Sequence, residues 1–543
     1  MNVAPLGLVA APLAASVPAQ RAQASSGQLL TACRLCWEND GRLVALWGSD
    51  ERDRHRGFLI RVVLEDHDGL TLLEHTLPDD RSRYPDLSPI FPAANRMQRA
   101  LYDLLGIAAE SDDQRPWLWA PSHATRASMA PGTHKPLTSA AAASEPSERG
   151  GHAFPLRRDF KGDDTEPRPD DYAFVRVDGE GVHEIPVGPV HAGIIEPGHF
   201  RFQVVGEKVL RLEERLGYTH KGVEKRFQGM SIDDGAKLVG RISGDSTIAY
   251  AWAYAEAVER CADFVPPARA RWIRALCLER ERLANHLGDI GAIGNDAGFA
   301  FGLAQFSRLR EDVLRMNQRA FGHRLMMDAI VPGGLARDLE FEHVHAMHDE
   351  ADRVARQIVR LREIYDEHAG VQDRFRNAGR ATPALARQMG LVGLAGRASG
   401  QAHDIRYDFP SAPYDLLDVR MALQTAGDVW ARVAVRFDEA LESARVIGVV
   451  TAALLDPATM GAVHAAGPTV PADRLALGYV EGWRGPVLVA VEIGEDNRLR
   501  RCRPQDPSWI NWPVVEHATI GNIVPDFPLI NKSFNLSYSG HDL

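Results

Sequence analysis

Between residues 245 and 447 the chain carries long amphipathic stretches, and this region limits the possible folds more than any other. Apolar residues recur there at the spacing of one helix face. Tyr172–Val177 and Phe200–Val205 before the region, and Pro486–Glu492 after it, are typical of strands. This order predicts a helical bundle completed by β elements from both ends of one domain. The predicted helices cover about 245–264, 266–291, 300–322, 340–369 and 412–447.

A smaller unit precedes this region. Gly57–Leu64 and Leu70–Leu77 are aliphatic runs bounded by Asp and Gly, which predicts strands, and Pro92–Gly106 predicts a helix that ends at its glycine. The fold class is therefore α+β, with a small α+β N-terminal domain followed by a mainly helical domain that has short β elements at both ends. The predicted boundaries are a flexible leader over 1–27, the small domain over 28–120, a Ser-, Ala- and Pro-rich linker over 121–170 and the helical domain over 171–543.

Charge and hydropathy exclude several classes of protein. The formal net charge of −11 argues against nucleic-acid binding, which requires a basic surface. No run approaches the roughly 18 apolar residues of a membrane-spanning helix, so we expect any membrane contact to come through partners. The apolar leader lacks a preceding Lys or Arg and is interrupted by Pro5, Pro12 and Pro18, which favours a cytoplasmic leader over a signal peptide.

The cysteines indicate a reducing compartment. There are five, an odd number that does not make a disulfide framework. Cys33 and Cys36 form a C-x-x-C pair without a second pair to complete a four-thiolate site. Unpaired thiols are therefore favoured over zinc or redox chemistry, and the role of the pair stays open.

The loop from Gly188 to His199 is the first candidate site. Its glycines and prolines predict a tight turn, and Glu196 lies three residues before His199, so both side chains can enter one pocket. A carboxylate beside an imidazole can relay protons, because each charge tunes the pKa of the other. Without further context, the same loop is an ordinary surface turn.

Several motifs, in order along the chain, resemble two related families. One is the large subunit of membrane-bound, formate-hydrogenlyase-type nickel–iron hydrogenases, and the other is the 49-kDa-type subunit of respiratory complex I. The matching segments are Gly188–His191, Glu196–Phe200, Tyr218–Lys225, Leu278–Leu287 and Val331–Leu335. Asp86–Asn95 and Tyr102–Ile107 resemble the 30-kDa-type complex I subunit, which proteins of the formate-hydrogenlyase type carry fused ahead of the large subunit.

The resemblance also identifies what this chain lacks. The hydrogenase family places one cysteine pair where Ser243 and Ser246 stand and a second pair where Ser537 and Gly540 stand. Nickel and iron need soft thiolate ligands, whereas serine hydroxyls are hard and stay protonated near neutral pH. We therefore expect no nickel–iron centre, no metal ligands and no hydrogen splitting in this chain.

In complex I-type relatives the metal-free cavity receives a quinone head group, and the resemblance implies its residues here. Asp296 stands where that family has an aspartate, ten residues after His286. For the family's histidine, a gapless comparison selects Ile195 or Glu196, and a gapped one selects His199.

The family's tyrosine has no counterpart at Gly244, and Tyr250 lies one turn further along the predicted helix. Two sets of residues follow from the resemblance. The expected catalytic, proton-relaying residues are Glu196, His199 and Asp296. The candidate quinone pocket consists of His191, Ser243, Ser246 and Tyr250.

The resemblance implies a soluble subunit of a membrane-bound, complex I-like oxidoreductase, which couples electron transfer to ion translocation without a nickel–iron centre. The implied partners are a small subunit that holds an iron–sulfur cluster and antiporter-like membrane subunits, on the cytoplasmic face of the inner membrane. We expect this chain to bind no cofactor of its own unless it receives a quinone. The alternatives are a quinone-reducing subunit like that of complex I and a non-catalytic structural subunit.

Overall fold

The computed structural model describes residues 1–80, 82–118, 154–160, 172–191, 195–465 and 470–543. Most of the predicted linker over 121–170 lies outside the described residues. The part that is described, 154–160, packs on the N-terminal domain, where Arg157 Nε donates to the Leu105 carbonyl at 2.7 Å.

The N-terminal domain is built on one mixed sheet. Its elements are β1 (Ala11–Pro12), β2 (Ala14–Ala15), β3 (Ala19–Gln23), α1 (Ser26–Glu38), β4 (Arg42–Asp50), β5 (Phe58–Asp66), β6 (Gly69–Leu77) and α2 (Ala94–Leu105). The sheet has the order β1-β3-β6-β5-β4, in which β4, β5 and β6 are antiparallel neighbours and β3 runs parallel to β6. The predicted strands and helix of this domain are confirmed as β5, β6 and α2.

The structure corrects the prediction of a flexible leader over 1–27. Ala19–Gln23 pairs with β6 from Leu70 to Glu74, so the sheet edge supplies main-chain hydrogen bonds that hold this segment. Ala14 and Ala15 pair in parallel with β12 (Leu475–Glu481) of the second domain. The composition of this segment is typical of a linker, yet its apolar side chains pack between two sheets. Leu13 and Val17 are buried there.

The second domain is mainly helical. Its other strands are β7 (Val182–Val187), β8 (His199–Val205), β9 (Lys208–Arg215), β10 (Ile330–Val331), β11 (Gly334–Leu335), β13 (Pro486–Ile493) and β14 (Leu499–Gln505). Its helices are α3 (Val223–Phe227), α4 (Ile232–Val239), α5 (Thr247–Cys261), α6 (Ala268–Asp296), α7 (Ala300–Phe321), α8 (Phe341–Glu367), α9 (Ala369–Phe375), α10 (Pro383–Met389), α11 (Gly393–Ala398), α12 (Ile405–Asp408), α13 (Val429–Leu455), α14 (Ser508–Thr519), α15 (Phe527–Phe534) and α16 (Tyr538–Asp542).

Four long helices, α6, α7, α8 and α13, form the bundle. Phe306 of α7, Tyr365 of α8 and Phe437 of α13 meet in its core with ring centroids 5.5 to 5.8 Å apart. The strands β14-β13-β12-β2 form one sheet beside the bundle, and β7-β8-β9 form another. The predicted α+β class is confirmed.

Two predicted elements of this domain differ in the structure. Tyr172–Val177 forms no strand, because its backbone bonds to side chains: Val175 N–H donates to Glu213 and the Ala173 carbonyl accepts from Arg115. The helix predicted over 412–447 begins only at Val429, where the Asp428 carboxylate caps it by accepting from the Ala431 N–H at 2.9 Å.

Helix α5 and strand β12 pack in close contact at the middle of the helix. Gly478 of β12 lies so near the helix that an added Cβ would meet the Ala253 carbonyl oxygen at 1.7 Å. Only glycine permits this approach.

Among the helices of the described residues, none combines the length and the apolar character needed to cross a membrane.

Candidate functional site

Segments from opposite ends of the second domain meet at a buried group of residues, which we call the serine pocket: Ser243, Ser246, Ser537 and Gly540. Ser243 precedes the short turn that leads into α5, and Ser537 caps α16 by accepting from the Gly540 N–H at 2.9 Å. The Oγ atoms of Ser243 and Ser537 lie 2.9 Å apart. Since Ser243 donates its proton to Asp245 at 2.8 Å, the Ser537 hydroxyl donates to Ser243.

Arg484, in the turn between β12 and β13, organises one side of the pocket. Its guanidinium binds the Asp245 carboxylate at 2.5 and 2.8 Å, and Nη1 donates to Ser246 Oγ at 3.2 Å. Nε donates to the Asn535 carbonyl at 2.6 Å. Burial opposes ionisation of Asp245, but Arg484 holds the pKa of this carboxyl below its usual value. The pocket therefore contains a fixed ion pair.

Asp506 occupies the other side, next to Gly540. A Cβ at Gly540 would lie 2.5 Å from Asp506 Oδ2, so this carboxylate fills the space that a side chain would take. The Tyr250 hydroxyl donates to the same oxygen at 2.6 Å. Burial, followed by the neighbouring Asp506, raises the pKa of Tyr250 well above its usual value, which keeps the phenol protonated.

The donor set of the serine pocket does not fit a nickel–iron centre. It offers three hydroxyls, of which two bond to each other and the third accepts from Arg484, and a glycine whose side-chain space is taken by a carboxylate. None of these groups is a soft thiolate ligand. The pocket can instead accept, donate and pass protons between hydroxyls and carboxylates.

The glycine- and proline-rich loop reaches the pocket through Glu196. One carboxylate oxygen accepts from the Ser539 N–H at 3.2 Å and from its hydroxyl at 3.3 Å, between Ser537 and Gly540. Lys221 lies beside them and donates to the Ile242 carbonyl at 3.1 Å; burial lowers its pKa, against the attraction of Glu196 and Asp542. Glu196 is thus the predicted loop residue that joins the site.

Three other predicted residues, His191, His199 and Asp296, make their contacts elsewhere in the described part of the chain. The His199 ring contacts the Gly188 carbonyl at 3.1 Å and accepts from Arg201 Nε at 3.2 Å, within the small sheet. His191 closes its own loop through a 2.7 Å contact with the Gly198 carbonyl. Asp296 ends α6 at the surface, where partial burial raises its pKa and Lys532 opposes that shift. Within the described residues, no hydrogen bond links Asp296 to the pocket.

Arg484 and Asp506 were not predicted from the sequence. Asp506 follows directly on β14, whereas Arg484 lies three residues after the end of β12, and each is at least 95% buried. A charged residue in a short turn between two apolar strands is a signal that could have identified Arg484. Asp506 follows a strand rich in arginine, so one further charged residue there does not stand out in the sequence.

Most of the arginine-rich stretch Arg498–Arg503 belongs to a strand and not to a solvated loop. This strand is β14, and the carboxylate of Glu224 receives Arg501 at 3.2 Å and Arg503 at 2.5 Å. Arg500 binds Glu51 of the N-terminal domain at 2.7 Å. These arginines therefore hold the fold together.

The cysteine pair lies in α1, away from the serine pocket in the chain's other domain. Both side chains are buried, and the Cys36 thiol donates to the Glu65 carbonyl at 3.6 Å. Burial raises the pKa of Cys33 far above its usual value and that of Cys36 to about 12. Both groups therefore stay protonated thiols at neutral pH.

Comparisons with known proteins place both domains. A family model described as the 49 Kd subunit of respiratory-chain NADH dehydrogenase matches residues 296–466, and one described as its 30 Kd subunit matches residues 22–166. Formate hydrogenlyase subunit 5 of Escherichia coli is 29% identical over 519 residues, covering 94% of this chain and 86% of that protein. Hydrogenase-4 component G of E. coli is 29% identical, covering 94% and 85%.

A shorter relative matches the second domain. The carbon monoxide-induced hydrogenase of Rhodospirillum rubrum is 30% identical over 358 residues, covering 65% of this chain and 97% of that protein. Among solved structures, a chain of the membrane-bound sulfane sulfur reductase, an archaeal respiratory membrane complex, aligns with a TM-score of 0.63. The alignment covers 67% of this chain and 99% of that chain at 23% identity, so it supports the fold alone.

Proposed function

Because this chain belongs to the family in which a 30-kDa-type complex I domain precedes a 49-kDa-type domain, as in membrane-bound hydrogenases, we propose that it serves a complex I-like oxidoreductase. In this proposal it is a peripheral subunit without a nickel–iron centre that helps couple electron transfer to ion translocation.

One observation carries this proposal: the hydroxyls of Ser243 and Ser537 hydrogen-bond to each other at 2.9 Å where hydrogenases of the family have thiolates. A buried pocket that holds ion pairs and hydroxyls is suited to moving protons, because each group can donate or accept without a change of fold. Glu196 connects the pocket to the outer loop, and this supports a role as the proton-exchanging group.

The proposed partners are a small subunit with an iron–sulfur cluster and antiporter-like membrane subunits, on the cytoplasmic face of the inner membrane. The loop around Glu196 supports a partner contact, since Val190 is 85% exposed and Ile195 is 46% exposed. Exposed apolar side chains beside a functional loop are typical of an interface. The complex I and formate hydrogenlyase relatives belong to multisubunit enzymes by name.

Metal analysis of the purified complex tests the proposal. We expect no stoichiometric nickel and no hydrogen uptake, because the ligand positions hold no thiolate. Nickel at one atom per complex, or hydrogen-dependent reduction of an electron acceptor, would contradict it.

The Glu196→Gln variant tests the coupling role within the same complex. We expect ion translocation to fall at least about tenfold, since the amide cannot exchange a proton. The control is Glu184→Gln, which changes an exposed carboxylate paired with Arg201 on β7 and β8. Unchanged translocation in the Glu196→Gln complex would support the non-catalytic structural subunit instead.

Quinone reduction is the second candidate function. The apolar residues Val190 and Ile195 beside the Glu196 carboxylate favour it, because a quinone head group needs an apolar approach and a proton donor. We expect inhibitor-sensitive quinone reduction to be lost in Asp296→Asn or His199→Ala if this chain works like its complex I relatives. Unchanged rates in both variants would rule this candidate out.

A further inference from the structure

A buried group of ionisable side chains lies directly behind the serine pocket. We call it the Glu439 cluster, and it consists of Glu279, Arg282, His286, Arg397, Asp404, Arg406, Glu439 and Glu481. The side chains come from α6, α11, α12 with its cap, α13 and β12, and none is more than 3% exposed.

Guanidinium groups join the carboxyls of the cluster. Glu439 accepts from Arg282 and from Arg397, each at 2.7 Å, and Arg397 also donates to Glu481 at 2.8 Å. At the other end, Arg406 donates to Asp404 at 2.7 Å and to Glu279 at 2.9 Å. Arg397 also lies 3.8 Å from Asp404 and Arg282 lies 3.7 Å from Glu279, so ion pairs join the two ends into a single network.

The charges of the cluster do not balance if every group has its usual form. Four carboxyls, of Glu279, Asp404, Glu439 and Glu481, face three guanidiniums, of Arg282, Arg397 and Arg406. Among the described residues, no further Lys or Arg hydrogen-bonds to these carboxyls. An uncompensated buried charge costs several kcal/mol, on the order of the stability of a whole domain. One bound proton removes this cost.

His286 is a poor seat for that proton. Its Nε2 lies 3.0 Å from Glu439, but Nδ1 faces no hydrogen-bond partner within the described part of the chain. An imidazolium would bury an N–H group without an acceptor. Burial lowers the pKa of His286, with Arg282 and Arg436 acting in the same direction and Glu439 against it.

Glu481 is the better seat. It shares Arg397 with Glu439, and its other oxygen receives only the Ile405 N–H at 3.3 Å. Burial, followed by repulsion from Asp404, raises the pKa of Glu481. The groups that oppose this shift are Arg397 of α11, His403 in the turn before α12 and Arg282 of α6.

Glu481 also lies next to the candidate site. It ends β12, three residues before Arg484, whose guanidinium binds Asp245. Between them, Trp483 donates to the Asp245 carbonyl at 2.9 Å and packs edge-on against His286, with ring centroids 6.2 Å apart. A change of charge in the serine pocket therefore reaches the cluster through one residue layer.

We propose that Glu481 is a protonated carboxylic acid in the folded protein and stores one exchangeable proton behind the serine pocket. Its use in coupling rests on the function proposed above, whereas its protonation does not. Loss of the proton leaves a carboxylate and a free proton, so a positive charge that arises in the pocket favours release and a negative one favours uptake.

Infrared spectroscopy of the full chain at neutral pH tests the protonation state. We expect a carbonyl band of protonated carboxyls that shifts on ¹³C labelling of glutamate. Burial also raises the pKa of Glu214, and that of Glu281 to about 8, so other glutamates contribute to this band and Glu481→Gln should remove one glutamate's share of it. The matched control is Glu492→Gln on the neighbouring strand β13. That carboxylate is buried too, but Arg61 and Arg54 bind it at 3.1 and 2.7 Å, so its variant should keep the band.

Two results would overturn the proposal. One is the absence of such a band in the wild-type protein. This result can be obtained even if the Glu481→Gln variant fails to fold. The other is a folded Glu481→Gln variant whose band is as intense as that of the wild type. The infrared measurement needs no turnover, so its result does not depend on the proposed function. Nickel in the purified complex would contradict the proposed function but not the protonation of Glu481. Conversely, if Glu196→Gln loses ion translocation but the wild type shows no band, the proposed function stands and only the stored proton on Glu481 is contradicted.

Discussion

At the scale of single residues, the Asp506 carboxylate defines how tightly the serine pocket is filled. It touches the space above Gly540 and accepts from Tyr250, while the Ser508 N–H donates to its other oxygen at 2.8 Å. A buried carboxylate with several donors keeps one orientation. Any side chain added at position 540 must therefore move it.

We predict that Gly540→Ala destabilises the protein by about 1–3 kcal/mol, because the new methyl group overlaps Asp506 Oδ2. Denaturant unfolding measures this change in free energy. In an Asp506→Ala background the same substitution should cost less, since the overlapping oxygen is gone. Equal costs in both backgrounds would mean that Asp506 does not fill this space.

Sequence alone could identify the four positions of the pocket, together with Glu196 and Tyr250, but not Arg484 or Asp506. Ser243, Ser246, Ser537 and Gly540 stand within motifs that resemble a known ligand pattern. His199 and Asp296 stand in such motifs too, yet the structure bonds His199 within its own sheet and leaves Asp296 at a helix end. Side-chain direction depends on pairing and packing, which the motif does not contain.

At the scale of elements, the short C-terminal helix α16 depends on its cap. Ser537 Oγ accepts from the Gly540 N–H, and its own proton goes to Ser243. The Ser537 hydroxyl therefore both caps α16 and forms part of the serine pocket.

We predict that Ser537→Ala destabilises the protein by about 1 kcal/mol and speeds amide hydrogen exchange in α16, because a helix cap and a buried hydrogen bond are lost together. The control is Ser539→Ala, which leaves the cap in place and removes only the hydroxyl bound to Glu196. Equal exchange rates in α16 of both variants would contradict the capping role.

The contact between α5 and β12 gives a second prediction at this scale. Gly478→Ala should cost about 3 kcal/mol or more, because the added methyl group overlaps the Ala253 carbonyl, which belongs to rigid helix backbone. The control is Gly448→Ala on α13, where an added Cβ meets nothing within 4 Å. That variant should be stabilised by about 0.5–1 kcal/mol, since alanine favours helix. Thermal unfolding of both variants checks the contrast.

The elements also show what periodicity can and cannot predict. Long helices such as α6 and α8 were predicted within a few residues, because an amphipathic face repeats over many turns. The stretch before α13 was wrongly predicted as helix because apolar residues continue on the N-terminal side of the true helix start. Its beginning depends on Asp428 and on Gly427, whose φ of 67° favours glycine.

At the scale of the whole molecule, ion pairs join the two domains. Glu65 of β5 receives His403 of the second domain at 2.6 Å and the Tyr479 hydroxyl at 2.5 Å. Glu65 also binds Arg42 of its own domain at 2.9 Å. Burial opposes its ionisation, but Arg42 and His403 hold the pKa of Glu65 well below its usual value.

This depressed pKa predicts that acid weakens the junction. A carboxyl whose pKa is lower in the folded state stabilises the protein fully above its unfolded pKa, about 4.3, and progressively less as the pH falls toward the folded value. The free energy of unfolding should therefore drop below about pH 5, and Glu65→Gln should flatten that drop. An unchanged pH profile in the variant would show that Glu65 does not carry the effect.

The pairing of β2 with β12 has a consequence for biosynthesis. The partner of Ala14 is Ala476, which is made more than 450 residues later. Contacts between such distant parts of a chain form slowly, because a large loop must close first. The small domain therefore emerges with one of its strands unpaired, and this strand can pair only after β12 has been translated.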